Sequence, residues 1–314
     1  MGSFQVGAGL SRLEDTVDAV RAAVRQALDQ ADTTQAQWAL CFFTAAHLSR
    51  ADVLRRTVLD DTGCQAFAGC SAMGVIGQGE EAELTPAVAV LVGSTPGTDA
   101  QSGVLPLDGE GLAGYSALAE WSGGSKALLV LPDTFRANHE TLADMLQKTL
   151  PDLPIFGAGA VDDGTLGISL QVGMEGVRSN SMAVLGLFGG FDLAVGITQS
   201  CSPVGDPHFI TKVQEHTLIE LDGGSALAAY IEQGQVLGIE TMQQASLELL
   251  FGFPLDTQAP SFTGEGCLVR HLAGFDQDTQ GLMIPHPMTA HAALGFMHRS
   301  ADSAEQDMER MVTG

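Results

Sequence analysis

Two spacings of apolar residues alternate along the chain. Leu13, Val17, Val20, Val24 and Leu28 recur at helical spacing and predict an amphipathic helix with one buried stripe. Ser11 and Glu14 form a capping box at its start. The unbroken apolar run Trp38-Ala39-Leu40-Cys41-Phe42-Phe43 predicts a strand covered on both faces. A second helix carrying Val53, Leu54 and Val58 is expected to open at Ser49 and to stop at Gly63. A strand end at Phe67-Ala68 and a glycine-rich turn from Gly69 to Gly77 follow, then an acidic segment and the strand Val88 to Val92.

The same order returns further on. Ala39 and Ala127, Leu54 and Leu142, and Phe67 and Ile155 are each 88 residues apart, so the pattern reads as a duplicated strand–helix–strand–turn–strand unit over 38–93 and 126–189. The strand Met182 to Leu187 falls a few residues late, and Asp162-Asp163-Gly164 with the strand after it is expected to be the inserted hairpin.

From 193 the texture changes. A strand pair His208–Val213 and Thr217–Leu221 is predicted, turning near Gln214-Glu215. Ser225 opens a helix with Leu227, Tyr230 and Ile231 inward, and a further helical piece is expected to run through Met242, Ala245, Leu249 and Leu250. A hairpin is expected from Cys267–His271 to Leu282–Ile284, turning at Asp276-Gln277-Asp278, and an amphipathic helix near 301–312. The fold class is therefore α/β, with mixed sheets covered by helices and two related halves, 1–192 and 193–314.

Composition narrows what such a fold does. Fourteen basic residues against 38 acidic ones leave a net charge of −24, a field that repels phosphate backbones and anionic lipid heads. Nucleic acid and membrane surfaces are thus excluded as expected partners. Five scattered cysteines without a Cys-x-x-Cys pair fit a reducing compartment, and no leader or long apolar span is visible. The expected location is the cytoplasm.

Candidate chemistry is sparse. Gly69-Cys70-Ser71-Ala72-Met73-Gly74 has a nucleophile between glycines, but the second glycine comes one place late for a nucleophile elbow and no helix follows; a hydrolase is not expected. Two readings of the turn remain: close backbone packing, or a concavity whose amides receive the polar head of a small ligand. Gly157-Ala158-Gly159 occupies the matching place in the second copy, so two turns facing a shared pocket are expected. Asp276-x-Asp278-x-Gln280-Gly281 lacks the twelfth-position glutamate of a calcium loop and reads as a hairpin turn. Arg270 lies in an apolar strand and needs a buried carboxylate or an anionic ligand. His271, His286, His291 and His298 cluster late in the chain without helical ligand spacing.

These residues carry a resemblance. Gly69 to Gly77 is similar to the glycine-cysteine turn of the FIST family; Cys201 to Pro207 with Glu220-Leu221-Asp222-Gly223 is similar to the opening of that family's carboxy-terminal half, and Leu268-Val269-Arg270 resembles the strand bearing its recurrent arginine. The resemblance implies a FIST N-like domain over 1–192 and a FIST C-like domain over 193–314 lacking its usual last segment. It further implies a non-enzymatic sensory module for a small, amino-acid-like molecule, signalling to a partner such as a histidine kinase or a cyclase. The expected ligand-binding residues are Gly69, Cys70, Ser71, Ala72, Gly74, Gly157, Gly159 and Arg270, with no cofactor or metal. Two alternatives stay open: a haem-binding nitric-oxide sensor, with His271 and His298 as candidate ligands, and a protein-interaction scaffold.

Overall fold

The computed structural model describes residues 4–94, 97–107, 118, 124–137, 139–262 and 266–313, and divides into two compact units, Met1–Leu193 and Ala194–Gly314. The chain has the expected mixed α/β architecture. Among the described residues no helix is long and apolar enough to cross a membrane.

The first unit opens with strand β1 (Gln5–Ser11) and helix α1 (Thr16–Gln30). The cap is Asp15, whose carboxylate accepts from the Val17 and Asp18 amides; Ser11 stays in β1 opposite Val88, so the expected capping box does not form. The buried stripe is Ala19, Val20, Ala23, Val24 and Ala27, while Leu13 remains exposed. Strand β2 (Trp38–Phe43) runs into a 3-10 turn (Ala45–Arg50) and helix α2 (Ala51–Thr62). That turn displaces the expected Ser49 cap, whereas Gly63 ends the helix as expected, at φ 61°. Strands β3 (Ala66–Ser71), β4 (Gly74–Gly77), β5 (Glu80–Glu83), β6 (Val88–Ser94) and β7 (Thr98–Pro106) follow. Then come β8 (Ser125–Pro132), helix α3 (His139–Thr149), β9 (Ile155–Gly157), β10 (Gln171–Gly173), β11 (Gly176–Arg178) and β12 (Ser181–Gly189).

Two sheets result, ordered β1-β6-β2-β3-β10-β11 and β7-β12-β8-β9. In each, the first two pairings are antiparallel and the third, β2 with β3 or β8 with β9, is parallel. The side-chain period of two explains the layering. Ala39, Cys41 and Phe43 of β2 face α1 and α2, while Leu40 packs with Ala68 and Cys70 against Leu131, Ala183 and Leu185 of the other sheet. Leu128, Val130, Met182 and Val184 pack in turn on Leu142 and Leu146 of α3. The first unit is thus a helix–sheet–sheet–helix sandwich. The hairpin after residue 160 is β10–β11, not a turn at Asp162-Asp163-Gly164. The buried Asp162 carboxylate instead gathers the amides of Gly164, Leu166 and Gly167, which closes a compact loop.

The second unit contains β13 (Cys201–Gln214), β14 (Thr217–Leu221), β15 (Gly224–Ser225), α4 (Ala226–Val236), α5 (Met242–Glu248), β16 (Leu249–Pro254), β17 (Cys267–Arg270), β18 (Gly274–Asp276), β19 (Gly281–Met283), β20 (Ala293–Arg299) and α6 (Ala301–Thr313). Its sheet is ordered β17-β16-β20-β13-β14-β19-β18, with β15 on β14. Ser225 caps α4 and Tyr230 is buried, but Ile231 is exposed. Leu249 and Leu250 begin strand β16 rather than continuing a helix. Five consecutive apolar residues are buried on both faces of a strand flanked by β17 and β20, an environment a helix with one polar face cannot occupy. The expected hairpin from Cys267 is also corrected: β17 pairs with β16, and the hairpin is β18–β19. Its turn is built as expected, by the Asp276 carboxylate accepting from the Asp278 and Thr279 amides.

Candidate ligand-binding site

Ligands in α/β sheets sit beyond the carboxyl ends of parallel strands. In the first unit β2 and β3 are such a pair, in register from Trp38 and Ala66 to Phe43 and Ser71. Past their ends lies a cleft of about 430 Å³. One wall is Thr44, Ala45 and Ala46, where β2 turns into the helix; the others are Met73, the loop Leu84-Thr85-Pro86, and Asp163, Thr165 and Leu166.

The walls are anchored by few contacts. The buried Thr44 hydroxyl donates to the Thr85 carbonyl at 2.8 Å and accepts from the Ala87 amide at 2.9 Å. Beside it Leu84 holds φ at 52° and is 77% exposed, an uncommon backbone state at the lip of a concavity. Opposite, Asp162 fixes the loop. Burial would raise its pKa, but four backbone amides, from Gly164, Leu166, Gly167 and Ile168, outweigh that and hold it below the ordinary carboxylate value. Asp163 accepts from the Thr165 amide and hydroxyl and is the one charged side chain among the described residues lining the cleft.

Behind the first wall His47 is fully buried, with Nδ1 3.0 Å from the Thr16 hydroxyl and Nε2 without a hydrogen bond. Burial pushes its pKa below the ordinary 6.5; Asp15 opposes this and Arg50 adds to it. A histidine buried neutral contributes stability that is complete above its unfolded pKa and is lost as pH falls below it. Between pH 7.5 and 5 the melting temperature of the wild type is therefore expected to fall further than that of His47→Gln. Parallel pH profiles by calorimetry would contradict this.

The structure separates the residues expected to bind. Gly69, Cys70 and Ser71 are buried inside β3. Burial raises the Cys70 thiol to about 12, which disfavours the reactive thiolate at neutral pH. The Ser71 hydroxyl accepts from the Leu170 amide at 3.1 Å. Ala72 is half-buried, its amide donating to the Phe43 carbonyl, and Gly74 begins the β4 hairpin. Gly157 and Gly159 are exposed and line a second cleft of about 310 Å³ with Leu142 and Leu146 of α3. The two turns meet where the Val161 amide donates to the Ser71 carbonyl at 3.2 Å, yet they open onto different clefts.

Arg270 belongs to the second unit. It is half-buried at the end of β17, its Nη1 donating to the Val269 carbonyl at 3.0 Å, and it makes no ion pair with a described residue. His271 is exposed and His298 lies in β20 opposite Ser202 and Leu249. Among the described residues no group of three His, Cys, Asp or Glu could hold a metal ion. Sequence reasoning missed Thr44 and Asp163. The usable signals were a threonine directly after a buried apolar strand and an Asp-Asp-Gly turn whose first aspartate folds the loop.

Residues 37–224, which run from the start of β2 through β14, match the FIST N domain family. The chain belongs to the FIST family. FIST membership brings with it a small-ligand sensory role. The chain is similar to the uncharacterized protein MT0656 of Mycobacterium tuberculosis, 25% identical over 98% of this chain and 80% of that one. It is also similar to the uncharacterized protein Mb0898c of Mycobacterium bovis, 24% identical over the same shares. Among solved structures a cyanuric acid hydrolase from A. caulinodans aligns at 12% identity, covering 60% of this chain and 71% of that one, with a TM-score of 0.32.

Proposed function

We propose that this FIST protein is a non-enzymatic sensor whose first unit binds a small amino-acid-like molecule in the cleft beyond β2 and β3. The observation that carries the reading is the cleft's chemistry: among the described residues a single carboxylate, Asp163, beside threonine hydroxyls and an otherwise apolar lining of Ala45, Ala46, Met73, Leu84, Pro86 and Leu166. An ammonium group would pair with Asp163, while an aliphatic side chain would cover Met73 and Leu166. The burial of Cys70 and Ser71 supports binding without chemistry. Occupancy would draw the Thr85 loop and the Asp163 loop together, and a histidine kinase or cyclase reading that movement would be the output.

Calorimetric titration with a panel of free amino acids tests this. A member of the panel is expected to bind, and Asp163→Asn to weaken it about tenfold or more, since hydrogen bonds to charged groups contribute about 1.5–3 kcal/mol. Arg270→Ala in the same titration measures whether the arginine takes part. If no amino acid binds the wild type, or Asp163→Asn binds equally well, the reading fails.

A further inference from the structure

We propose that the outer edge of β9, with α3 beside it, docks an extended, cation-flanked segment of another protein, which joins the second sheet as an antiparallel strand. The first sheet shows what such an edge accepts. There β3 is the parallel partner of β2 and carries β10 antiparallel on its other side, with Val172 opposite Gly69. Gly69 lies so close to the Cys41 carbonyl that a Cβ has no room. Val172 fills the space beside it and shares a core with Leu54 and Val58 of α2.

The second sheet repeats this arrangement up to that point. β9 is the parallel partner of β8, and Gly157, 88 residues after Gly69, lies against the Val130 carbonyl in the same way. Leu142 and Leu146 of α3 stand 88 residues after Leu54 and Val58. Among the described residues, however, β9 pairs with β8 alone. Where the first sheet has Val172, the second has the cleft of about 310 Å³, bounded by Val130, Leu142, Leu146 and Gly157. An unpaired strand edge offers its amides and carbonyls to an incoming strand, and an apolar cleft beside it takes that strand's alternate side chains. The residue that best fits opposite Gly157 is therefore apolar and β-branched, as Val172 is opposite Gly69.

Size and charge decide between occupants. Eleven residues line the cleft, against about 20–30 on each side of a stable interface between folded proteins, so the footprint is that of a peptide. A second copy would bring a net charge of −24 against another of −24 and is disfavoured by repulsion. Lysines or arginines flanking an incoming strand are drawn to the same field.

The probe is a synthetic peptide with the sequence of residues 169–178 and a lysine pair at each end, titrated with the full chain and followed by fluorescence anisotropy. It is expected to bind with a Kd of about 0.5 mM or tighter, and to slow amide exchange at 155–159. Aspartate in place of the peptide's Val172, or glutamates in place of its lysines, is expected to weaken binding about tenfold. Ala143→Trp and Gln147→Trp, at exposed positions of α3 that line the cleft, are each expected to weaken it about tenfold as well. Asp163→Asn is expected to leave it unchanged, so the two sites fail or stand separately. A weaker Kd for the lysine-flanked peptide, no slowed exchange at 155–159, equal binding of either altered peptide, or unchanged affinity in both α3 variants would overturn the proposal. So would a dimer in sedimentation that Ala143→Trp dissolves, since the edge would then belong to a second copy.

Discussion

Gly69→Ala is expected to destabilise the first unit by about 3 kcal/mol or more, among the largest effects a single methyl group can have in this protein. Gly69 lies in β3 between Cys41 of β2 and Val172 of β10. A Cβ there would fall inside the contact shell of the Cys41 carbonyl and 2.9 Å from Val172 Cγ2. One of those atoms is backbone held in a six-stranded sheet, so it cannot yield cheaply. Urea unfolding of Gly69→Ala against Ala158→Ser, an exposed position, measures the difference; a Gly69→Ala midpoint equal to that of the control would refute it. Gly157 has the same constraint against the Val130 carbonyl. Gly69 and Gly157 therefore pack closely on the neighbouring strands, and ligand binding is better probed at Asp163, where a substitution leaves that packing alone.

Phe251→Ala is expected to cost the second unit about 3–5 kcal/mol, the usual range for emptying a buried phenylalanine site. Phe251 is fully buried in β16, stacked on Tyr230 at 5.3 Å and tilted against Phe296 at 5.9 Å. The three rings join α4 to β16 and β20, so the cavity would be bounded by rigid aromatic neighbours that collapse poorly. The calorimetric transition of this unit should fall by roughly 10–20 °C. A fall of only a few degrees would mean that the rings repack, contrary to this account.

Strands β2, β6, β8 and β12 of the first unit were legible because their signal is local. The runs at Trp38–Phe43, Val88–Ser94, Ser125–Pro132 and Ser181–Gly189 are apolar at nearly every position, as strands sandwiched between layers must be. Gly63 was legible for the same reason, since a left-handed helix end favours glycine wherever it occurs. Leu249-Leu250 misled because a short apolar run fits a helix face and a buried strand equally well. Pairing decided it, through β17 and β20, which lie on either side. The Cys267 strand found its partner in β16 rather than in the nearer hairpin for the same non-local reason.

The candidate site was less legible. The glycine turns pointed to strand ends at which clefts open, Met73 bordering the first and Gly157 the second. They did not reveal that Gly69 to Ser71 are enclosed, nor that Asp163 and Thr165 reach a cleft formed by residues about 80 to 120 positions earlier.

By itself, the order of residues determined the α/β class, the positions of the buried strands, the helix stop at Gly63 and the membership in the FIST family, because each rests on neighbours in the chain or on a motif read in order. Only the tertiary structure decided which strands pair, which glycines are closed in, where Asp163 stands relative to Thr44, and that Val172 lies against Gly69. Those facts depend on contacts between segments far apart in sequence, whose geometry is set by packing rather than by local pattern.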